Sequence, residues 1–280
     1  MNQRVEDTRT DIKSMSAEEL EEFIVNLGDK KFRGAQIFQW LHQKLVTSFD
    51  EMTNLSKALR EKLEKECRIT ALRAEAVQVS KLDQTSKYLF ELYDKNLIES
   101  VLMKYHHGNS VCISSQVGCR MGCRFCASAL DGCVRNLTPS EMLDQIYTIQ
   151  KMSGERVDNV VVMGSGEPMD NYENLLKFIS LLNSEKGLNI SARNITVSTC
   201  GLVPEIFKLA DRKLQITLAV SLHAPNDELR KTMMPIANRY SVDEIMDACR
   251  YYILQTGRRI SFEYSLVRDV NYSEDCARQL

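Results

Sequence analysis

The alternation of strand-like and helical runs after residue 110 constrains the fold more than any other feature of this 280-residue sequence. Strand-like runs, rich in β-branched and apolar residues, occur at Val111–Ser114, Asn159–Met163, Asn194–Ser198, Gln215–Leu222 and Arg259–Leu266. Helical runs lie between them at Pro139–Met152, Tyr172–Ser184, Val203–Leu209 and Val242–Thr256. Strands that alternate with helices predict a parallel sheet with right-handed crossovers, so the fold class is α/β.

The first 70 residues have a different pattern, which predicts a small helical domain. Ser16 and Glu19 have the spacing of a capping box, and the helix that follows them stops at Gly28. Two further helices are expected over Ala35–Leu45 and Ser56–Cys67. We therefore place a helical accessory domain at 1–70.

A hairpin is predicted between this helical domain and the alternating region. The β-rich runs Ser86–Tyr93 and Leu97–Tyr105 flank the turn-forming residues Asp94, Lys95 and Asn96. The predicted division is thus a β-hairpin linker at 71–108 and an α/β core at 109–280.

Composition limits the class of protein. Hydrophobic residues make up 44% and charged residues 26% of the chain, which is typical of a globular protein rather than a disordered one. No apolar run reaches the roughly 18 residues of a membrane span, and the N-terminus has no signal-peptide pattern. We therefore expect a cytoplasmic monomer that does not bind a membrane. The net charge is −2, so binding to nucleic acid would require a local basic patch.

Nine cysteines in a chain without a secretion signal favour metal binding or catalysis over structural disulfides. Cys119, Cys123 and Cys126 form a CxxxCxxC motif shortly after the first strand of the alternating region. Three thiolates on one loop can hold three irons of a cubane cluster and leave the fourth iron open. A zinc site with Cys133 as the fourth ligand is the alternative.

Polar residues follow the next three strands of the predicted sheet. Gly164-Ser165-Gly166-Glu167-Pro168 comes after the second strand, Ser198 ends the third, and Ser221-Leu222-His223 ends the fourth. Ligands of α/β folds bind at the carboxyl ends of the strands. His223 alone could equally be a core histidine, but together these residues predict a binding site at this rim.

The CxxxCxxC motif, with Phe125 before its last cysteine, resembles that of the radical S-adenosylmethionine (SAM) superfamily. The resemblance implies a [4Fe-4S] cluster on Cys119, Cys123 and Cys126, whose open iron binds SAM. It also implies that SAM is contacted by residues at the three strand ends, namely Gly166, Glu167, Ser198, Ser221, Leu222 and His223. The implied fold is a (β/α)6 barrel, present only in part in this chain.

Longer motifs narrow the resemblance to the RlmN/Cfr family of radical SAM RNA methyltransferases. They are Cys112-Ile-Ser-Ser-Gln-Val-Gly-Cys119, Gly166-Glu167-Pro168, Ser221-Leu222-His223-Ala-Pro-Asn-Asp and Phe32-Arg-Gly-Ala-Gln-Ile-Phe-Gln-Trp-Leu. The family methylates adenine, at C2 in the RlmN branch and at C8 in the Cfr branch. Pro168 and the Ala-Pro-Asn-Asp run look more like the C2 branch.

The C2 branch implies two RNA substrates and a protein electron donor. Its targets are the adenine of the peptidyl-transferase centre in 23S rRNA and the adenine beside the anticodon in tRNA. The donor would be a flavodoxin or ferredoxin. A C8 methyltransferase and a non-catalytic iron–sulfur or RNA-binding remnant remain the alternatives.

The resemblance also implies roles for two residues outside the cluster motif. In the family a methyl group is carried on a cysteine, a second cysteine later forms a disulfide with it, and a carboxylate removes the C2 proton. Cys112 matches the second cysteine and Glu99 matches the carboxylate. Without the resemblance, Cys112 reads as a buried strand residue and Glu99 as a solvent-facing one.

The family's methyl-carrying cysteine lies beyond the stretch that ends at Leu280, and the surroundings of Cys276 do not match it. We therefore expect the sequence to be truncated at its C-terminus and unable to methylate RNA as it stands. A positive rim for RNA phosphates could be formed by Lys104, His106, His107, Arg120, Arg124 and Arg135. Scattered, solvated charges explain the same residues equally well.

Overall fold

The computed structural model describes residues 8–280, and its first part is helical. The helices are α1 (Ala17–Asn26), α2 (Phe32–His42) and α3 (Lys57–Glu66). All three expected helices are thus confirmed. The first seven residues of the predicted accessory domain lie outside the described residues.

Local sequence signals set the ends of these helices. The Ser16 side chain accepts a hydrogen bond from the Glu19 backbone, and the Ser16 N–H donates to the Glu19 carboxylate at 2.7 Å, so the capping box is confirmed. Helix α2 ends before Leu45, contrary to expectation, because Leu45 has a φ of 55°, which no α-helix can continue. Gly34 lets α1 and α2 cross closely, since a Cβ there would lie 2.5 Å from the Glu21 backbone nitrogen.

One sheet runs through the rest of the chain. Its strands are β3 (Arg73–Val79), β4 (Ser86–Glu91), β5 (Leu97–Tyr105), β6 (Gly108–Ile113), β9 (Asn159–Val162), β10 (Ile195–Thr199), β11 (Thr217–Ser221) and β12 (Ile260–Glu263). Their order is β12-β11-β10-β9-β6-β5-β4-β3. Two small pairs stand apart from it: β1 (Thr10–Asp11) with β2 (Cys67–Arg68), and β7 (Gln116–Gly118) with β8 (Cys133–Asn136).

The predicted hairpin is part of this sheet. Strands β4 and β5 pair antiparallel across the expected turn, and β5 pairs in turn with β6, the first parallel strand. Strand β3 was not predicted; it adds a further antiparallel strand on the other side of β4. The region at 71–108 therefore extends the core sheet as well as linking the two parts of the chain.

The five expected parallel strands are confirmed. Strands β6, β9, β10, β11 and β12 are all parallel and lie side by side in chain order, which is the strand order of a partial β/α barrel. The helices between and after them are α4 (Pro139–Ser153), α5 (Tyr172–Asn183), α6 (Val203–Asp211), α7 (Asp227–Met233), α8 (Val242–Thr256) and α9 (Glu274–Gln279). Helix α7, which follows β11, was not predicted.

The two faces of the parallel strands differ in burial, because successive side chains point to opposite sides. Val160, Val162, Ile195 and Val197 are completely buried in the main hydrophobic core. The residues between them are partly exposed. We call this second face, which carries the register-paired Cys112, Val161 and Thr196, the inner face.

A buried ion pair fixes the helical part to the core. Lys13 and Asp144, on α4, are both almost fully buried, and their Nζ and Oδ1 atoms are 2.5 Å apart. The other Asp144 oxygen accepts from the backbone N–H of Leu72 at 2.6 Å. Breaking such a buried pair from one side leaves an uncompensated charge, which typically costs about 3–5 kcal/mol. The helical part and the sheet are thereby held in one arrangement.

Within residues 8–280, the helices are either too short or too polar to cross a bilayer.

Candidate active site

A cavity of about 220 Å³ lies at the carboxyl edge of the parallel strands. It brings together eight of the residues predicted from sequence, which are Cys119, Cys123, Cys126, Gly166, Glu167, Ser198, Ser221 and His223. The three cysteines come from one loop, and the other residues lie at or just after the carboxyl ends of β9, β10 and β11. The sequence-based expectation that polar residues after these strands share one rim is therefore confirmed.

The cysteine loop is closed by the small β7–β8 pair. The backbone N–H of Cys119 donates to the Gly132 carbonyl at 2.9 Å, and that of Cys126 donates to the Cys123 carbonyl at 3.1 Å. Gly118 is required at the start of the loop, because its φ is 74° and a Cβ there would lie 2.0 Å from the Gly132 oxygen. The backbone thus turns sharply enough for all three thiols to face the cavity.

The three thiols are suited to bind a metal group rather than to react freely. Burial raises the pKa of Cys119 and of Cys123 to about 11, and repulsion between neighbouring thiolates adds to the effect. Cys119 and Cys123 therefore become thiolates at neutral pH only when a cation replaces their protons. Within residues 8–280, no three His, Cys, Asp or Glu side chains are placed so that they could together bind a single metal ion. Cys133, the extra ligand of the zinc alternative, does not line the cavity.

The loop after β9 is held tightly against β7. Gly166 has a φ of 105°, and a Cβ on it would lie 2.6 Å from the Gln116 Cβ. Glu167 is buried, and its two carboxylate oxygens accept backbone N–H groups, from Met169 at 3.0 Å and from Cys200 at 2.7 Å. Burial raises the pKa of Glu167, and these hydrogen bonds act in the opposite direction. Glu167 therefore joins the end of β9 to the end of β10.

His223 has a defined tautomer at the cavity wall. Its Nδ1 accepts the backbone N–H of Ser265 at 3.0 Å, so Nε2 carries the ring proton in the neutral form. Burial, with a smaller contribution from the positive charge of Arg230, lowers the pKa of His223 to about 4. The ring also meets Phe125 edge-on, with 4.9 Å between the centroids. At neutral pH His223 can thus offer one N–H donor.

Leu222, in contrast, does not line the cavity. Its side chain is buried, its backbone N–H donates to the Glu263 carbonyl at 3.1 Å, and its carbonyl accepts from Arg230. Strand alternation explains this result, because neighbours of the inner-face residue Ser221 point the other way. A role for Leu222 in binding SAM stays a prediction.

Cys112 and Glu99 lie outside the cavity but on the same sheet face. Cys112 pairs in register with Val101, and Glu99 is two residues from Val101 along β5, so both side chains are on the inner face. Burial raises the pKa of the Cys112 thiol, and the nearby backbone N–H of Met163, a cavity residue, acts in the opposite direction. Glu99 is half exposed, with an oxygen 2.6 Å from Lys87 Nζ. The face is thus open at Glu99, whereas Cys112 is only partly exposed.

The expected positive rim is largely neutralised. Lys104 is paired with Glu155 at 2.6 Å, and Arg120 is paired with Asp170. Arg135 is partly buried between Asp94 and Glu141. These pairs favour the alternative of scattered charges.

All nine cysteines are free thiols, so the structure gives no support to the disulfide expected at Cys112. Sequence reasoning also missed two cavity neighbours, Cys200 and Arg230. Cys200 lines the cavity and is buried, and Arg230 donates to its carbonyl. Arg230 is one of 36 basic residues, and no motif around it in the sequence indicates a position beside the cavity.

Two family models match the chain. One, described as "Ribosomal RNA large subunit methyltransferase N-terminal domain", matches residues 10–69. The other, described as "Radical SAM superfamily", matches residues 113–277, which include the cysteine loop and the strand ends.

Similar proteins carry one name. The chain is 72% identical to "Probable dual-specificity RNA methyltransferase RlmN" of Lachnospira eligens, over 97% of this chain and 77% of that relative. It is 59% identical to a protein of the same name from Lachnoclostridium phytofermentans, over 97% of this chain and 76% of the relative. The chain therefore spans about three quarters of their length.

A solved structure is also similar to this chain. The crystal structure of a radical SAM methyltransferase from Sphaerobacter thermophilus matches with a TM-score of 0.92 and 42% identity, covering 97% of this chain and 80% of that one. The match includes both the sheet and the loops that form the cavity, since nearly the whole chain is covered.

Proposed function

Since the chain belongs to the RlmN family of radical SAM RNA methyltransferases, we propose that it transfers a methyl group to C2 of adenine in RNA. The proposed targets are the adenine of the peptidyl-transferase centre in 23S rRNA and the adenine beside the anticodon in tRNA. The relatives' name, dual-specificity RNA methyltransferase, supports two RNA substrates. The observation that carries the proposal is the cavity in which three cysteines meet the ends of three parallel strands.

The cofactors of this family are a [4Fe-4S] cluster and SAM, and the cavity residues fit them. Three thiols on one loop match a cubane that keeps one iron open for SAM. The reduced cluster, when bound, supplies the electron for cleaving SAM, which no side chain of the protein can do. We assign the cluster to Cys119, Cys123 and Cys126, and SAM to the walls formed by Gly166, Glu167, Ser198, Ser221, Leu222 and His223.

The protein's own residues must hold SAM and keep protons in place. His223 is neutral at physiological pH, so its Nε2–H can donate to SAM without adding a positive charge beside the sulfonium. Glu167 holds the ends of β9 and β10 at a fixed spacing through its two accepted N–H groups. A cavity with such fixed partners orients a bound molecule at little entropic cost.

Glu99 and Cys112 are assigned to the two late steps. Glu99 accepts the C2 proton of the adenine, which requires that its carboxylate leave Lys87. The Cys112 thiolate then attacks the sulfur of the cysteine that delivered the carbon to C2; a disulfide forms as the carbon–sulfur bond breaks, and the released carbon takes up a proton to become the methyl group of the RNA. Their common position on the inner face supports this assignment, because an adenine lying on that face would reach both Glu99 and Cys112.

Two further proposals complete this function. The helical part at 1–70 acts as an accessory domain, the strands at 71–108 link it to the core, and 109–280 carries the chemistry; the family model at 10–69 supports the first boundary. A flavodoxin or ferredoxin is the proposed electron donor, since the cluster must be reduced by one electron at a time.

Position-specific deuterium in the RNA tests the function. The protein used has residues 1–280 followed by the C-terminal segment of a family member, and the target adenine carries deuterium at C2 or at C8. We expect mass spectrometry to show 2-methyladenosine with loss of the C2 deuterium only. Formation of 8-methyladenosine with loss of the C8 deuterium would assign the C8 activity instead. Cluster-loaded protein that gives neither product would point to a non-catalytic remnant.

Glu167→Ala is expected to weaken SAM binding about 10- to 100-fold, because it removes the carboxylate that we assign to the SAM ammonium group and that also holds the ends of β9 and β10 together. Ser165→Ala should change the affinity less than threefold, because the ties of that residue to β7 are made by its backbone carbonyl. Calorimetry on cluster-loaded protein measures both. Equal and negligible changes for the two variants would show that this loop does not hold SAM.

A further inference from the structure

Arg230, on α7, is a buried cation without a carboxylate partner. Its exposure is 0%, and it is among the largest fully buried side chains. Guanidinium groups stay charged in proteins. Over the described range 8–280, no Asp or Glu oxygen lies within 4.0 Å of its nitrogens. An isolated buried charge is among the most costly features a fold can contain, so its compensation needs an explanation.

Backbone carbonyls satisfy only part of the guanidinium. Nε donates to the Leu222 carbonyl at 3.1 Å, and Nη2 donates to the carbonyls of Cys200 at 2.6 Å and Ser221 at 3.2 Å. Nη1 is buried and has no hydrogen-bond partner. Carbonyl dipoles orient the group at the ends of β10 and β11, but they do not cancel its charge.

The position of Arg230 relates it to the cysteine loop. The helix that carries it ends at Met233, whose carbonyl accepts the backbone N–H of Arg124, between two cluster cysteines. Met121 and Cys123 pack against a small core formed by Cys200, Met233, Met234 and Ile236. Cys200, whose carbonyl accepts a hydrogen bond from Arg230, packs in the same small core as Cys123, one of the three cysteines of the loop. The buried cation is thus beside the loop that receives the cluster.

We propose that Arg230 is the countercharge of the iron–sulfur cluster, a positioning residue that raises its reduction potential. Three thiolates make the assembly negative, and reduction by an external one-electron donor adds one more negative charge without making or breaking a bond. A fixed cation in a water-poor surrounding stabilises the reduced form more than the oxidised form. The proposal rests on the assignment of the cluster to the three cysteines, and it is independent of the RNA substrate.

The test is a redox titration of the cluster-loaded protein, without SAM, followed by electron paramagnetic resonance. For Arg230→Gln we expect the ratio of reduced to oxidised cluster at a fixed potential to fall at least tenfold, which is 59 mV for a one-electron couple. Arg230→Lys keeps the charge and should stay within threefold of wild type. Lys231→Gln removes an exposed charge one residue away, and screening should keep it within twofold.

Each of the other possible outcomes either supports or contradicts the proposal. A Gln variant with full iron content and an unchanged potential would overturn the proposal. If the reduction potential of the cluster is unchanged in the Gln variant but the affinity for SAM falls, Arg230 binds the carboxylate of SAM and the proposal is equally wrong. A folded Gln variant that cannot load iron supports the proposal if Arg230→Lys restores loading, and opposes it if the Lys variant also stays empty.

Folding is checked separately, because the Gln variant removes three buried hydrogen bonds. If the Gln variant does not fold, Arg230→Met, which has an apolar side chain of similar length, replaces it in the redox titration. If no substitution folds while the cluster-free wild-type chain does, the guanidinium is required by the fold itself and the countercharge role is rejected. Failure of iron binding in the wild type would instead refute the cluster assignment, so the two failures are distinguishable.

Discussion

Replacing any one of Cys119, Cys123 or Cys126 by alanine is expected to lower the iron content after anaerobic reconstitution from about four per chain to near zero. Each thiol faces the same cavity, and each would bind a different iron of one cubane. Loss of one ligand leaves two thiolates and a second open iron, which a labile cluster does not survive. Iron analysis and the visible absorption spectrum measure the effect.

Cys133→Ala is the matched control, because Cys133 ends the same loop without lining the cavity. It should keep about four irons. If the Cys133 variant loses its metal as the other three variants do, the three-cysteine ligand set is wrong. A four-cysteine zinc site would then be the better description, and it would bind about one zinc per chain.

Cys112→Ala is expected to convert turnover into trapping, in protein that carries the family's C-terminal segment. Without the Cys112 thiolate, nothing attacks the sulfur that joins protein to RNA, so the disulfide cannot form and the RNA is not released. A covalent protein–RNA adduct should therefore accumulate to nearly one per active site. A denaturing gel with labelled RNA detects it, and Cys249→Ala, a buried cysteine in α8, should show none.

Glu99→Gln should also leave the adduct in place, because the amide keeps the shape of the side chain but cannot accept the C2 proton. Glu91→Gln is the matched control, since Glu91 lies on the neighbouring strand and is likewise paired with a lysine, Lys95, at 2.7 Å. Neither Cys112→Ala nor Glu99→Gln should change the iron content. Normal turnover by the Cys112 variant would make this residue an ordinary buried cysteine of β6.

The sequence was sufficient to predict the helices and strands that have a strong periodicity of apolar residues. The helix expected over Val242–Thr256 has those bounds in the structure, and the capping box at Ser16 forms as predicted. Elements without a clear period were missed. Strand β3 (Arg73–Val79) is exposed along most of its length, so its side chains show no apolar alternation, and α7 has only seven residues.

The residues of the candidate site likewise fall into those that could be predicted from the sequence and those that could not. The three cysteines could be placed from their spacing, and Gly166 from a glycine-rich run at a strand end, where a sharp turn restricts which residues fit. Ion pairs could not be predicted, so the sequence left open whether Arg120 and Arg135 form a positive rim or are separately solvated charges. Arg230 acts through a tertiary contact with carbonyls from two strand ends, which no local pattern encodes.

The central claim is that this cavity binds SAM beside a reduced cluster and cleaves it, and the most direct measurement is the formation of 5′-deoxyadenosine. Reconstituted wild-type chain, reduced anaerobically with SAM, should give 5′-deoxyadenosine and methionine in equal amounts. Cys123→Ala should give neither. A wild-type chain that holds about four irons and binds SAM, yet forms no 5′-deoxyadenosine, would contradict the claim.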